Sequence, residues 1–288
     1  MASQHTIAAA IELTGLGVHT GVLARVRLNP APVDSGIVFF RSDADAEDRA
    51  IPALSRFVAA TGNATVLRNA AGVQVATVEH LLAAAAGLEI DNLRVEVQGP
   101  ELPILDGSAL PFVAAIDGAG RIEQEAPRRV LRMLRSLEVV DGGKRARLEP
   151  CDDGFWIDVV IRYAEPAIGV QRREIEVTPE SFRTEIGRAR TFGRFADLEG
   201  LRARGLALGA SLENTVAVDG DRVVNPEGLR SADEFVLHKV LDVVGDLSLA
   251  GARIQGRFTG DQCGHGLNAR LLSAVLATSD AYEIIAEV

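Results

Sequence analysis

Two stretches of the chain repeat one pattern, and that repetition restricts the fold more than any other feature. Residues 77–86 are rich in Ala and Leu and run into Gly87, while residues 232–244 form a second helical pattern that runs into Gly245. Each carries a histidine seven residues before its glycine, His80 and His238, and each is followed by a strand-like run, residues 92–97 and 252–258. Ala and Leu favour helix, and a glycine after the last apolar residue reads as a helix C-cap. A helix-then-strand unit met twice points to an internal duplication. Each half then packs a sheet on helices, an α+β arrangement of two similar domains.

The polar segment Glu123-Gln124-Glu125-Ala126-Pro127-Arg128-Arg129 separates two apolar regions and is the expected boundary. Dividing there gives residues 1–126 and 127–288, each of ordinary domain size. Apolar and polar residues alternate cleanly in 93–97, and 155–161 reads as a strand with alternation near its end. Asp141-Gly142-Gly143 reads as a hairpin turn. Arg128, Arg129, Arg132 and Arg135 would suit a basic membrane-surface helix, but Val139-Val140 just before that turn fits a strand better.

With 47% hydrophobic and 24% charged residues, the 288-residue chain can bury a large core and is not disordered. Thirty basic against forty acidic side chains leave a formal charge of −10, which argues against nucleic acid as a partner. Two cysteines, Cys151 and Cys263, make no disulfide framework. The first ten residues lack a basic, apolar leader pattern, and no apolar run is long enough to span a bilayer. A cytoplasmic protein is expected, with at most loose membrane association.

The five histidines carry the chemistry. His238 and Asp242 are four apart, on one face of the second helix. They suit a shared Zn²⁺ or Fe²⁺, or are a plain surface ion pair. Glu79-His80 offers a further ligand with a general base beside it, or an ordinary helix-face charge. One-helix zinc motifs are absent, so a three-ligand site has to combine both helices. His265, between Gly264 and Gly266, is either a proton donor on a loop or a solvent-exposed turn residue. His19 lies in Gly15-Leu16-Gly17-Val18-His19-Thr20-Gly21, whose spacing misses the dinucleotide fingerprint and reads as a hairpin turn. His5 is expected at the surface, and Cys263 stays open as a thiol nucleophile.

Several motifs, in order from about Thr14 to Leu276, closely resemble one family. They are Gly17-Val18-His19-Thr20-Gly21; Thr77-Val78-Glu79-His80-Leu81-Leu82-Ala83 with Gly87-Leu88-Glu89-Ile90-Asp91-Asn92; and Pro103-Ile104-Leu105-Asp106-Gly107-Ser108. Ala189-Arg190-Thr191-Phe192-Gly193, Asp233-Glu234-Phe235-Val236-Leu237-His238-Lys239 and Gly264-His265-Gly266-Leu267-Asn268 complete the set. The chain resembles the UDP-3-O-acyl-N-acetylglucosamine deacetylases, the LpxC family of lipid A synthesis. The resemblance implies two sheet-and-helix domains with the active site between them. It implies zinc, or alternatively Fe²⁺, on His80, His238 and Asp242. Glu79 is then the general base and His265 the general acid, oriented by Asp246, while Thr191 polarises the amide oxygen.

For the substrate, the resemblance places Phe192 and Lys239 near the sugar and its phosphates, with Lys144 as a second cation for the diphosphate. Tyr163 stacks on uracil, and Asp197 matches a family acid. Phe192, Phe195, Leu201, Leu206, Leu208 and Leu212 are expected along an acyl passage, unless they are ordinary core. Gly193, Gly205 and Gly209 let the backbone narrow around the chain. Hydrolysis of the N-acetyl group by a monomer follows, with the nucleotide sugar as partner. The competing readings are a zinc amidohydrolase for another acylated sugar or amide, and a metal-bound regulatory module.

Overall fold

The computed structural model describes residues 2–287. Its two main sheets share one connection scheme. In the first, the strand order is Ile11–Leu16, Leu23–Pro30, Leu93–Gln98, Ile37–Arg41, Ala50–Pro52. In the second it is Leu137–Asp141, Lys144–Glu149, Arg253–Asp261, Phe155–Arg162, Val170–Glu176. Numbered along the chain, each set runs first, second, fifth, third, fourth. Within each set, only the third and fifth strands are parallel. Two further strands, Arg129–Met133 and Tyr282–Ala286, extend the second sheet beside the start of Arg253–Asp261. A parallel neighbour demands a crossover, and here a helix supplies it. Helix α1, Glu79–Gly87, precedes the fifth strand of the first sheet and α2, Leu110–Ala119, follows it. After the short α3, Pro179–Thr184, and α4, Leu198–Ala203, the second half repeats this. There α5, Glu234–Leu247, precedes the fifth strand and α6, His265–Ala277, follows it. The duplication expected from two histidine-bearing helices is thus present in the topology.

Each half also inserts a small three-stranded sheet between its fourth strand and its first long helix. The first insert consists of Val58–Ala60, Val66–Arg68 and Gln74–Val75. The second consists of Phe192–Arg194, Val216–Asp219 and Arg222–Val223. The strand Arg253–Asp261 alternates strictly between half-buried and buried residues, as a sheet with one packed face requires. Its central position explains why Phe258 is fully buried.

Helices α1 and α5 pack against each other at the centre. Eight of nine residues of α1 and thirteen of fourteen of α5 are buried. A helix buried all round places its polar side chains in a medium where each needs a partner. Two glycines that the sequence presents as C-caps lie at close contacts of these helices, Gly87 where α1 meets α3 and Gly245 where α5 meets α1. Neither is a cap. A Cβ on Gly87 would lie 2.2 Å from the Phe182 ring, and one on Gly245 would lie 2.2 Å from the backbone oxygen of Glu79. Helix α5 runs past Gly245 to Leu247, and its chain turns at Gly251, φ +74°. Both glycines permit close approach rather than termination.

The polar segment at the expected boundary is mostly strand. Arg121–Pro127 pairs antiparallel with Ser3–Ile7. Arg128 is buried against Asp91, Glu89 and Glu287, so its charge marks an internal ion cluster and not a solvated hinge. His5, expected at the surface, belongs to this cluster, with Nδ1 2.7 Å from the Arg128 guanidinium. Arg129–Met133 is a strand, which disposes of the basic helix. None of the described helices is long and apolar enough to cross a membrane.

Candidate metal centre and active site

The α1–α5 crossing brings His80 beside His238 and Asp242. The two imidazole rings meet edge to face, 5.2 Å between centroids. One ligand atom from each of the three residues lies within 4.8 Å of the others. All three side chains are buried. His80 Nδ1 and Asp242 Oδ1 are shut from solvent without a hydrogen-bond partner. Leaving such atoms unpaired costs about 1–3 kcal/mol each, a cost a bound cation removes. His238 Nδ1 is 3.1 Å from the Ala189 carbonyl, which fixes the tautomer with the proton on Nδ1 and leaves Nε2 free to coordinate.

Charge states match a metal site. Burial, reinforced by His238, pushes His80 down to about 3, so it is neutral. Burial also lowers His238. Burial works against an ionised Asp242, but Lys239, His238, His265 and His80 outweigh it and hold its carboxyl well below the usual range. Lys239 Nζ sits 2.7 Å from Asp242 Oδ2. Two neutral imidazoles and one carboxylate, with room for a further ligand, is the donor set of a catalytic rather than a structural site.

Glu79 and His265 face this cluster. His265 Nε2 is 3.9 Å from Glu79 Oε1 and 3.9 Å from Asp242 Oδ2. Its Nδ1 lies 2.9 Å from Asp246 Oδ2. Burial would strip the imidazolium of its proton, but Asp246, Asp242 and Glu79 push its pKa up to about 10. Burial raises Glu79 to about 7 even though His265 pulls the other way. A neighbouring pair in which one group readily gives up a proton and the other retains one is suited to general acid–base work.

These groups line a cleft of about 1320 Å³. Thr191, Phe192, Gly193, Leu201, Tyr163, Lys239 and Lys144 all border it. Phe192 packs edge to face on Tyr163 and Phe235, with Lys239 Nζ 5.5 Å from its ring centroid. Thr191 is fixed at both backbone ends, its N–H on the Gly107 carbonyl at 2.7 Å and its carbonyl accepting from Val216 at 2.8 Å. Phe195 and Leu212 reach the cleft too. Leu208 is half exposed. Gly209 stands apart from the lining: its backbone N–H binds the Val18 carbonyl at 3.0 Å, and a Cβ there would strike the Gly17 oxygen. It joins the insert to the His19 turn. Gly193 borders open space, so no close contact demands glycine there. Asp197 pairs with Arg194. Burial raises the Cys263 thiol to about 12, which leaves it protonated and unsuited to nucleophilic attack.

Two parts of the site went unrecognised in the sequence. Glu101, fully buried, accepts from His19 N, Thr20 N, Thr20 Oγ1 and Thr77 Oγ1 at 2.7–3.0 Å, and so holds the His19 turn at the mouth of the cleft. A single Glu after a strand carries no local signal. Arg190, also buried, binds Glu234 through both its backbone N–H and its guanidinium. This pair ties the loop of Ala189 and Thr191 to the start of α5. Its two members stood inside quoted motifs, but nothing in their spacing showed that they meet.

A model of the UDP-3-O-acyl N-acetylglycosamine deacetylases, LpxC, matches residues 4–277. The chain belongs to that family. Relatives of this deacetylase include the UDP-3-O-acyl-N-acetylglucosamine deacetylase of Phenylobacterium zucineum (strain HLK1), 50% identical over 281 residues that cover 98% of this chain and 96% of that one. The protein of the same name from Thioalkalivibrio sulfidiphilus (strain HL-EbGR7) is 48% identical over 287 residues, 99% of this chain and 93% of that one. A third, from Myxococcus xanthus (strain DK1622), is 47% identical over 283 residues, 98% and 89% of the two chains. The deacetylase is therefore a hydrolase, and the regulatory-module reading falls.

Proposed function

We propose that this deacetylase removes the acetyl group from UDP-3-O-acyl-N-acetylglucosamine, releasing acetate and the free amine of the sugar. The observation that carries this reading is the meeting of His80, His238 and Asp242 beside Glu79 and His265 in one cleft. Zinc is the proposed ion, held between two domains of residues 1–126 and 127–288; Fe²⁺ suits the same donors. A divalent cation there acidifies water and draws charge from a carbonyl oxygen.

An amide resists hydrolysis because its carbon is a poor electrophile and its nitrogen a poor leaving group. Glu79 answers the first difficulty by accepting the proton of the attacking water. Thr191 borders the cleft where its hydroxyl can donate to the developing oxyanion. His265, kept charged by Asp246, answers the second by donating its Nε2 proton to the departing sugar nitrogen. Lys239 and Lys144 offer charge for the diphosphate, and Tyr163 a face for uracil. The cleft exceeds the usual 300–1,000 Å³ of small-molecule sites, which accords with a nucleotide sugar bearing an acyl chain. Phe192, Leu201 and Leu212 on its border suit that chain, each buried methylene contributing about 0.8 kcal/mol. The protein acts as a monomer in the cytoplasm, with at most loose membrane contact and no nucleic-acid partner.

Metal analysis joined to assays of varied acyl length tests this. The wild type should hold one ion per chain, and His238→Ala well under that. Turnover efficiency should depend steeply on acyl length. A full complement of metal in His238→Ala removes the ligand assignment; indifference to acyl length points to another acylated substrate.

A further inference from the structure

Thr65 stands between Glu79 and Asp246, the carboxylate that holds His265, and lies outside the motifs quoted above. It lies immediately before the strand Val66–Arg68 in the first insert, and it is buried. Its backbone N–H donates to Glu79 Oε2 at 3.0 Å. Its hydroxyl donates to Asp246 Oδ1 at 2.6 Å. The backbone bond leaves Glu79 Oε1 as the oxygen that faces His265. The hydroxyl completes the surroundings of Asp246, whose other oxygen receives Asn268 Nδ2 at 2.9 Å and His265 Nδ1 at 2.9 Å. Glu79 comes from α1 and Asp246 from α5, so a single residue holds both carboxylates in register across the helix crossing.

We propose that Thr65 is a positioning residue that fixes the general base relative to the acid's orienting carboxylate. It touches no reacting atom; it acts through Glu79 and Asp246. The inference rests on the roles given above to Glu79, Asp246 and His265. A carboxylate that accepts a fixed hydroxyl cannot rotate without breaking that bond, and the His265 ring it carries stays aimed at the cleft. Misplacement of a reacting group by about 1 Å can cost about 10²-fold in rate.

The test compares Thr65→Val, which keeps the shape and removes the hydroxyl, with Thr65→Ser, which keeps the hydroxyl. Thr65→Val should lower kcat about tenfold or more, within that range, with KM and metal content close to wild type. Thr65→Ser should recover most of kcat. Combined with Asp246→Asn, Thr65→Val should add little further loss, because both changes act on one unit. Wild-type kcat in Thr65→Val, or a Ser variant as impaired as the Val variant, overturns the proposal. So does full additivity with Asp246→Asn. Glu79→Gln and His265→Ala run alongside: if they retain turnover, the acid–base reading itself fails and takes this proposal with it. If they lose turnover while Thr65→Val does not, only the role of Thr65 is lost.

Discussion

Burial decides the charge of Glu79 and His80, whereas neighbouring charges override it at Asp242 and His265. Glu79 and His265 lie 3.9 Å apart, yet burial drives Glu79 up to about 7 while three carboxylates drive His265 up to about 10. In the mechanism proposed above, the working state has Glu79 without its proton and His265 with its own. Activity should therefore rise as pH climbs through the Glu79 value and fall as it approaches the His265 value. A cation among the ligands stabilises both deprotonated forms, so both limbs in the loaded enzyme lie below those figures. A kcat/KM profile flat from pH 5 to 9 contradicts two titrating groups. Glu79→Gln and His265→Ala should each keep the metal and lose about 10²–10⁴ in kcat, the usual worth of a general acid or base; single-turnover assays with parallel metal analysis check this.

Helix α1 is only nine residues long and α5 fourteen, so neither presents a site alone. The site exists because the two cross closely, and Gly245 sets how closely. Gly245→Ala places a methyl against the Glu79 carbonyl, and the helices have to separate. Overpacking of this kind costs about 1–3 kcal/mol. The variant should melt at lower denaturant and lose turnover together, since Glu79 and His80 move with α1 relative to His238 and Asp242. Unchanged stability with unchanged kcat would show that the crossing has slack. The inserts act at the same scale: one carries Thr65 and the other Phe192, and each precedes its half's central helix.

Across the whole molecule, the two halves are joined by more than the α1–α5 crossing. Arg128 lies 3.2 Å from Glu287 and 3.3 Å from Asp91, near the start of the second half, and draws both chain halves onto one guanidinium. Arg128→Ala removes the guanidinium from Asp91 and the hydrogen-bond donor from His5 Nδ1, and leaves Glu287 with Arg253 at 3.8 Å. Removal of one member of a buried ion cluster costs about 3–5 kcal/mol. Urea unfolding should show that loss, with metal content unchanged because the cluster is remote from His80 and His238 in the topology. A cost under about 1 kcal/mol, the range of exposed pairs, would mean that the cluster is effectively solvated.

The sequence by itself determined the repeated helix-and-strand unit, the strands with clean alternation, and the ligand types. Periodicity is local, and His238 and Asp242 share a face because helical geometry alone puts residues four apart together. The motifs also placed Glu79, His265 and Asp246 among the candidates. Only the tertiary structure decided that Gly87 and Gly245 are contact points and not caps, since a glycine after an apolar run looks the same in both roles. It likewise showed the polar boundary segment to be strand beside a buried Arg128, and gave Thr65 and Glu101 their partners. Thr65 and Asp246 are separated by 181 residues. No spacing rule spans such a distance; contacts of that kind exist only after α1 and α5 have packed, because burial is what makes each unpaired donor seek its acceptor.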